Sequence, residues 1–499
     1  MQLVRIVNDS LLYTNKEKRV ESSTQPDVRP GGLVGVLAFA GIVAALMQTI
    51  VVPLIGDLPK LFNTSASNAS WVITATLLAG AVATPITGRL GDLYGKRKMI
   101  LICSIPLIAG SVVAATASSL MPMVIGRGLQ GIGVGMIPLG ISALRDLFPP
   151  EKLHSAIALM SSSMGIGGAL GLPMAAAVAE HTSWRVLFWG SAVLSVAIAV
   201  LIWFFVPTTP VHNPGGRFDL IGALGLGVGL ISLLLGVSKG GDWGWTSGSI
   251  LGLFATTIIV LAAWGWWELS TDDPLVDLRI AARPQVLFTN GASIAVGFAM
   301  YAQALILPQL LQLPEATGYG MGQSMLAMGL WMLPGGFVMM TVSVAGAKLS
   351  ASRGPKITLL LGTLVIAAGY GSSMFLMGTP WGLLIVTCIC NAGIGLAYGS
   401  MPALIMGAVP PSATGSANSF NTLMRSVGTS ISAAVVGVVL AQMSMDFGGH
   451  TLPTEAGFRT GLLIACGAAL FAAAITTLIP ARKVNPPVEM VAPQPVAKV

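Results

Sequence analysis

Long apolar segments, separated by short polar ones, follow one another along almost the whole chain. Each apolar segment is long enough to cross the ~30 Å hydrocarbon core of a bilayer as an α-helix, which rises ~1.5 Å per residue. A transmembrane β-barrel would instead show short segments of alternating hydrophobicity. The pattern therefore predicts an all-α polytopic membrane protein. Its fourteen predicted spans are 33–55, 71–90, 98–117, 122–144, 156–179, 184–206, 219–238, 247–267, 285–311, 321–345, 356–378, 381–407, 415–441 and 458–480.

The composition supports this interpretation, because 54% of the 499 residues are hydrophobic and only 9% are charged. Residues 1–30 contain no apolar core followed by a cleavage site, so no signal peptide is predicted. The cysteines all fall within predicted spans, at a spacing that suits neither a zinc site nor a disulfide framework. We therefore expect no metal and no cofactor. The cysteines are Cys103, Cys388, Cys390 and Cys466.

Lys and Arg are distributed unevenly between the two sides of the predicted spans. Most of the 26 lie on the side of the termini, whereas the opposite loops contain only Lys60, Arg185, Lys239 and Arg459. By the positive-inside rule, both termini lie in the cytoplasm. The same bias accounts for the net charge of +7 without a nucleic-acid partner. The compact loops favour a bacterial origin and location in the plasma membrane.

The chain contains a weak internal repeat. “GIGVG” at 131–135 resembles “GIGLA” at 393–397, “PPEKLHSA” resembles “PPSATGSA”, and “GRLGDLYGKRK” aligns with “AKLSASRGPK”, all at nearly the same offset. Two homologous halves of six spans each are therefore predicted, with a substrate site between them near the midplane. The alternative is coincidence among helices rich in Gly and Ala. The predicted organisation is a cytoplasmic segment at 1–32, a six-helix bundle at 33–206, a linker with two extra helices at 207–284, a second bundle at 285–480 and a tail at 481–499.

The densest charge cluster between two long apolar runs is “GRLGDLYGKRK” at 88–98. Its glycines allow a tight reversal where side chains would clash. Asp92 can lie near a helix N-terminus or pair with a cation, which is worth ~0.3–1 kcal/mol when exposed and more when partly buried. Its cations can bridge to carboxylates at neighbouring helix ends. The residues of this cluster are Gly88, Arg89, Gly91, Asp92, Gly95, Lys96 and Arg97.

The cluster resembles the signature loop between the second and third spans of the major facilitator superfamily, and “RGLQGIGVG” at 127–135 resembles its fourth-span motif. Fourteen spans, “SWRVLF” at 183–188 and “RFDLIG” at 217–222 resemble its 14-span drug:proton antiporter branch. The resemblance implies a major facilitator fold, with two six-helix bundles plus two inserted helices. It also implies a secondary transporter that exports amphiphilic drugs or metabolites in exchange for protons by alternating access. The implied partners are a small amphiphilic substrate, protons and the lipid bilayer, and we expect a monomer.

In that family, the charged loop latches the two halves in the outward-open state and breaks during transport. We therefore expect the 88–98 cluster to act as a conformational switch. The alternative is an anchor of membrane topology made of positive-inside residues. In the second half, Ala351 occupies the position equivalent to Asp92, so we expect that copy to have lost the switch.

Two arginines, Arg127 and Arg425, lie inside predicted spans, where a charge near the bilayer centre costs at least ~2.5 kcal/mol. Gln130 shares a helix face with Arg127, and Asn418 and Asn421 share one with Arg425. The resemblance implies that Arg127 belongs to a proton-coupling or cavity network, and the alternative is a structural arginine bonded to backbone carbonyls. The stripe around Arg425 either lines a cavity or forms hydrogen bonds between helices. Further residues expected along the cavity are Gln48, Tyr301 and Gln303.

The segment “GIGGALGLPMAAAVAE” at 165–180 falls where the antiporter branch carries a glycine–proline motif. Its glycines allow close helix packing, and its proline removes an intrahelical hydrogen bond and permits a bend. The match is imperfect, because Leu172 occupies the usual proline position. The residues expected to act in this way are Gly165, Gly168, Gly171 and Pro173.

The buried carboxylate usual in proton-coupled exporters of cations is missing, since the first-span aspartate of the branch aligns with Met47. The nineteen acids all fall in loops, tails or span ends. Candidates for coupling are Asp57, Glu180 and Glu315, each of which has the alternative of being a solvated charge at a helix end. A polar cavity with two arginines favours neutral or anionic amphiphiles over dications.

Tryptophans flank the two extra spans and are typical of interfacial anchors, so we expect this pair to be peripheral and to face lipid. Three functions remain: a drug or metabolite exporter, a lipid or lipid-conjugate transporter of the same fold, and an integral membrane enzyme or receptor. The last needs ionisable groups near a membrane face, which are scarce, so we expect no enzyme. The repeat of two halves favours transport.

Overall fold

Helices form nearly all of the regular structure in this computed structural model, which describes residues 30–54, 58–211, 215–447 and 450–480. Within these ranges, fourteen helices are long and apolar enough to cross a membrane, which confirms the predicted polytopic helical fold. They are α1 (Pro30–Thr49), α2 (Trp71–Tyr94), α3 (Lys96–Ala115), α4 (Leu120–Leu147), α5 (Pro150–His181), α6 (Arg185–Phe205), α7 (Leu220–Trp243), α8 (Gly248–Ser270), α9 (Pro284–Gln312), α10 (Met325–Arg353), α11 (Pro355–Leu376), α12 (Pro380–Ala408), α13 (Thr414–Gln442) and α14 (Glu455–Thr477). An even number of crossings puts the start of α1 and the end of α14 on one face, which we call the terminal face.

Several helices begin at a residue whose side chain accepts a hydrogen bond from an N–H of the first turn. Such caps satisfy amide groups that have no partner within the helix. Side chains that cap α7, α8, α10, α12 and α14 in this way belong to Asp219, Ser247, Ser324, Thr379 and Thr454. The sequence thus sets the start of these helices locally, before any tertiary contact.

The apolar cores follow the division into two halves. One cluster of buried residues lies entirely between Ala292 and Ile479. Two further clusters lie between Leu33 and Val206, apart from Met406 of the second half. Each set of six helices therefore packs mainly around its own core.

A small hairpin departs from the all-helical pattern. Strand β1 (Ser444–Phe447) pairs antiparallel with β2 (His450–Pro453), with Ser444 opposite Pro453. It connects α13 to α14 on the face opposite to the terminal face. The sequence pattern did not predict this hairpin, because its strands are only four residues long.

The 88–98 segment is mostly helical, so the expected loop is shorter than the sequence indicates and the tight reversal is confined to one glycine. Gly88 and Gly91 lie inside α2, and α3 begins at Lys96. Gly95 alone separates the two helices, with φ 94°, a conformation that side chains rarely adopt. Gly88 and Gly91 allow close packing, since a Cβ on Gly88 would lie 2.7 Å from the carbonyl oxygen of Gly415 and a Cβ on Gly91 would collide with Leu139.

The inserted helices differ from each other, which corrects the expectation that both face lipid. Leu230 and Leu234 of α7 are buried in a cluster with Ala81 of α2 and Leu423 of α13. In α8, by contrast, apolar side chains are widely exposed, with Ile258 at 71%. Helix α7 therefore belongs to the wall between the halves, whereas α8 covers its outer side.

We predict that Gly126→Val destabilises the protein, because a Cβ at this position of α4 would lie 2.7 Å from backbone atoms of Gly110 and Ala114 in α3. Overpacking of this kind costs ~1–3 kcal/mol. The matched control is Gly128→Val on the same helix, where a Cβ meets nothing within 4 Å. The melting temperature of the detergent-purified protein is the measurement. Equal melting temperatures for the two variants would contradict the packing of α3 on α4.

Candidate functional site

A cleft between the two halves contains two adjoining cavities, of about 270 and 110 Å³. Leu77 of α2, Leu234 of α7, and Thr429 and Ser430 of α13 line both. The larger cavity lies towards the face opposite to the terminal face, since Asp242 near the end of α7 lines it. The cleft therefore runs from that face into the middle of the molecule, with the inserted helix α7 along one side.

Three of the residues expected along the cavity line this cleft. Tyr301 lines the larger cavity, and Gln48 and Arg425 line the smaller one. The guanidinium of Arg425 lies over the ring of Tyr398, 4.4 Å from its centroid, and donates to Thr422 Oγ1 at 3.4 Å. Among the described residues that line the two cavities, the charged side chains are therefore Arg425 and Asp242.

The asparagines of α13 lie below Arg425, towards the terminal face. Asn421 Nδ2 donates to Asn290 Oδ1 and Ser293 Oγ of α9, both at 2.8 Å, so this residue joins two helices. Asn418 is buried, and neither polar atom of its side chain has a partner among the described residues. Both asparagines line a void of about 10 Å³. A polar void of ~10–15 Å³ is the size that holds one water molecule.

Arg127 lies in the packed interior of the first half and lines neither cavity. Its Nη1 donates to Met47 O and to Gln130 Oε1, both at 2.7 Å, and its Nε donates to Val72 O at 3.3 Å. Gln130 in turn donates to Ser111 Oγ at 2.8 Å. This geometry favours the structural alternative, an arginine that ties α1, α2 and α4 together through backbone carbonyls.

Gln303 also departs from the expected position along the cavity. It is buried in α9, and its Oε1 has no hydrogen-bond partner among the residues that the structure describes. Gln303 lines neither of the two cavities. Its amide therefore belongs to the interior of the second half rather than to the cleft.

On the terminal face, Asp92 joins the two halves. Its carboxylate accepts hydrogen bonds from the backbone N–H groups of Gly415 and Ser416, both at 2.8 Å. These amides belong to the first turn of α13, where the partial positive charge of the helix N-terminus favours an anion. Asp92 is only 1% exposed. The bond therefore lies away from water and closes the cleft at this end.

Lys96 crosses the same boundary. Its ammonium group donates to Asp146 Oδ2 of α4 at 2.7 Å and to Thr414 Oγ1 of α13 at 2.9 Å. Beside it, Arg145 donates to the carbonyl oxygen of Val409 at 3.1 Å. The Lys96–Asp146 pair is a bridge to a carboxylate at a helix end, as expected for the cluster. The sequence did not identify which residues would be the partners, because nothing local indicates which distant helix end will meet the cluster.

The remaining cations of the cluster bind elsewhere on the terminal face. Arg89 Nη2 lies 3.2 Å from Asp273 Oδ1, in the segment that follows α8. Arg97 Nη2 donates to Trp203 O at 2.5 Å, and its guanidinium lies 5.7 Å from the centre of the Trp203 ring. The cluster is thus linked to the second half, to the inserted pair and to α6.

The expected packing of the fifth span holds for some positions and not for others. A Cβ on Gly165 would lie 3.0 Å from Met339 Cγ, and Pro173 touches Gly329, so α5 packs closely on α10. A Cβ on Gly171 would lie 3.1 Å from Thr49 Cβ of α1. Gly168 faces open space, so its expected close contact is wrong. Helix α5 continues unbroken through Pro173.

The acidic residues expected to take part in proton coupling are Asp57, Glu180 and Glu315. Asp57 and the side chain of Glu180 lie outside the described residues, and Glu315 is exposed. Glu268, however, is buried within α8 and is only 2% exposed. Glu268 lies at a span end, as the sequence indicated, but it was not among the candidates, because sequence position does not reveal what covers a helix end.

Comparisons with known proteins agree with this architecture. A sequence model described as Major Facilitator Superfamily matches residues 37–433. Multidrug transporter protein MdtP of Bacillus subtilis is 26% identical over 82% of this chain and 74% of its own length. Lincomycin resistance protein LmrB of Listeria monocytogenes is 24% identical over 89% of this chain and 97% of its own length. The structure of the human organic anion transporter MFSD10 (TETRAN) aligns with a TM-score of 0.64 over 91% of this chain and all of that chain, at 16% identity, which indicates a shared fold.

We predict that Arg127→Met lowers the melting temperature, because it removes the donor that Arg127 supplies to the carbonyl oxygen of Met47 and to Gln130 Oε1 in the buried interior. An unsatisfied buried polar group costs ~1–3 kcal/mol. Arg353→Met, at the exposed end of α10, is the control. Unchanged stability combined with lost transport would instead assign Arg127 to the transport cycle.

Proposed function

The chain belongs to the Major Facilitator Superfamily, and from that membership we propose that it exports amphiphilic drugs or metabolites in exchange for protons by alternating access. Its family and its relatives make it a multi-pass membrane transporter and not an enzyme. The names of its relatives favour drug export over the lipid-transport alternative. In this proposal the terminal face is cytoplasmic, the membrane is a bacterial plasma membrane and the protein acts as a monomer.

The observation that carries the proposal is a cleft closed at one end and accessible from the other. On the terminal face, Asp92 and Lys96 bond to the start of α13. Towards the opposite face, α2 and α13 separate around the larger cavity. A cleft of this shape presents its site to one side of the membrane, as alternating access requires.

The switch acts through bonds that must break for the terminal face to open. Asp92 and Lys96 lie in the first half, whereas Gly415, Ser416 and Thr414 lie in the second. Separating the halves here would expose both a carboxylate and two amide groups to water, which then replaces their bonds. These buried links between the halves favour a conformational switch over a simple topology anchor.

The cleft suits a neutral or anionic amphiphile. Its walls combine apolar side chains such as Leu77 and Leu234 with the hydroxyl groups of Thr429 and Ser430. The positive charge of Arg425 lies at the deep end, while Asp242 lies at the mouth with 41% of its side chain exposed. A substrate acid group would therefore be stabilised deep in the cleft, with its apolar part against α2 and α7.

Resistance profiling of a bacterial host tests the proposal most directly. Cells that express the protein should tolerate higher concentrations of some dyes, antibiotics or metabolites than cells with an empty vector. In vesicles, an imposed pH gradient should drive accumulation of the same compounds. A protein that is present in the membrane yet alters neither tolerance nor uptake would overturn the proposed function.

We predict that Asp92→Asn strongly reduces export, because an amide offers one acceptor where the carboxylate offers two, and its NH₂ group faces the N–H of Ser416. A hydrogen bond to a charged group is worth ~1.5–3 kcal/mol, which corresponds to roughly a 10- to 100-fold shift between conformations. The rate of dye efflux, normalised to protein in the membrane, is the measurement. Asp272→Asn, an exposed acid on the same face, should transport normally. If Asp92→Asn also transported normally, the switch would be excluded.

We predict that Arg425→Gln weakens export of anionic amphiphiles more than that of neutral ones, because the guanidinium supplies the positive charge of the deep cavity wall. Loss of one partly desolvated charge interaction should raise the KM ratio of anionic to neutral substrate about tenfold. Arg353→Gln is the control. Equal losses for both substrates would indicate that Arg425 acts through the packing of Tyr398 alone.

A further inference from the structure

A buried carboxyl group lies where the inserted helices meet the terminal face. Glu268 lies in the last turn of α8 and is only 2% exposed, although α8 is otherwise largely exposed. One oxygen, Oε2, accepts a hydrogen bond from the backbone N–H of Val276 at 3.2 Å. Among the described residues, no hydrogen bond of normal geometry reaches the other oxygen, Oε1, although the indole N–H of Trp264, one turn earlier on α8, lies close enough to interact with this carboxyl group. An ionised carboxylate with one oxygen unsatisfied is costly to bury.

A second carboxyl group, that of Asp219, faces the same point. Asp219 caps α7 by accepting from Gly222 N at 2.8 Å. It also accepts from the indole N–H of Trp267, at 3.1 Å to Oδ1 and 3.0 Å to Oδ2. Both oxygens of Asp219 therefore accept hydrogen bonds.

The missing side chain of Gly222 creates the space in which the two carboxyl groups meet. A Cβ on this glycine would collide with Asp219 Oδ2 and would lie 2.6 Å from Glu268 Oε1. The unpartnered oxygen of Glu268 thus points towards the bonded carboxylate of Asp219. Two like charges held this close in a buried place cannot both be ionised without a large cost.

Neutralising cations are not bonded to this pair within the part of the chain that the structure describes. Arg217 and Arg89 both bond to Asp273, through a backbone N–H and a guanidinium respectively. Arg279 donates to the carbonyl oxygen of Leu269. In the linker, Asp277 caps the short helix Leu278–Ala281, and Asp272 is exposed. On α8 itself, the indole N–H of Trp264 lies beside the Glu268 carboxyl group but forms no hydrogen bond of normal geometry among the described residues.

We propose that Glu268 and Asp219 form a proton-binding site on the inserted helix pair, in which Glu268 takes up and releases the proton at Oε1. Uptake converts the Glu268 carboxylate and one proton from the water of the terminal face into a carboxylic acid. The new O–H can donate to the facing Asp219 carboxylate, which replaces the repulsion between the two groups by a hydrogen bond. Release returns the same proton to water, so no other reactant is needed.

The site is connected to the switch through a short segment. Val276 is bonded to Glu268, and Asp273, three residues before it, is paired with Arg89 of α2. A change in the charge of Glu268 therefore acts on a segment that holds one residue of the 88–98 cluster. This connection, which rests on the proposed export function, gives the inserted pair a role in proton coupling. The first-span aspartate that is usual in the branch is absent from this chain, where Met47 takes its position.

Infrared difference spectroscopy of the purified full-length protein tests the site without any transport assay. Between acidic and alkaline pH, wild type should show the C=O stretch of a protonated carboxyl group that appears and disappears. Glu268→Gln, which keeps an acceptor for Val276, should lose that band. Glu455→Gln, an exposed acid paired with Arg459, should retain it. A Glu268→Gln spectrum identical to that of wild type would overturn the site.

Gly222→Ala provides a second variant that leaves every carboxyl group in place. The added methyl group forces the two carboxyl groups apart, so the band should shift in frequency and in the pH at which it appears. An unchanged band would show that Asp219 does not share the site. The atoms that meet the added methyl group belong to two side chains rather than to the backbone, so these side chains can move and this variant should still fold.

Transport in vesicles separates this inference from the proposed export function. If the inference holds, Glu268→Gln still moves substrate down its gradient, but the acceleration caused by an imposed pH gradient is at least tenfold smaller than in wild type. Glu455→Gln keeps the full acceleration. Full acceleration in Glu268→Gln would overturn the coupling role. If wild type titrates at Glu268 but exports no compound, the proton site is supported and the proposed function fails.

Discussion

The carboxylate of Asp92 and the first backbone N–H groups of α13 form the interaction on which the closed terminal face depends. The amide groups are fixed by their helix, so they cannot turn away while α13 keeps its place. Opening this face therefore requires relative movement of whole helices rather than rotation of a side chain. Because the bond is buried, it is stronger than an exposed one, and because water can replace both partners after separation, it remains breakable.

Close approach of backbones makes that interaction possible. Gly88, one turn before Asp92, lets α2 come so near to α13 that any side chain there would meet Ser419 and Gly415. A glycine also allows close approach at a second contact between the halves, where Gly336 of α10 packs against α5. Apolar surfaces gain little by leaving lipid for protein, so close contact and hydrogen bonds determine how membrane helices associate.

The inserted pair is attached to α2 at both of its ends. On the face opposite to the terminal face, Lys239 of α7 donates to Ser70 Oγ at 2.6 Å, next to the start of α2. On the terminal face, Asp273 after α8 pairs with Arg89 near the end of α2. Helix α7 fills the gap between α2 and α13 and lines the cleft. Any movement of α2 relative to α13 must therefore involve the inserted pair.

The sequence by itself determined the fourteen spans, the membrane environment and the charged cluster, because hydrophobicity, length and residue type are local properties. It did not determine which residues meet. Arg127 and Arg425 have the same position in the pattern, an arginine inside an apolar run, yet one is enclosed by carbonyls and the other lines the cleft. Glu268 falls at a span end in the sequence pattern, and only the packing of Asp219 and of the segment around Val276 shows that it is buried. These outcomes depend on contacts between residues far apart in the chain, and such contacts exist only after the helices have packed.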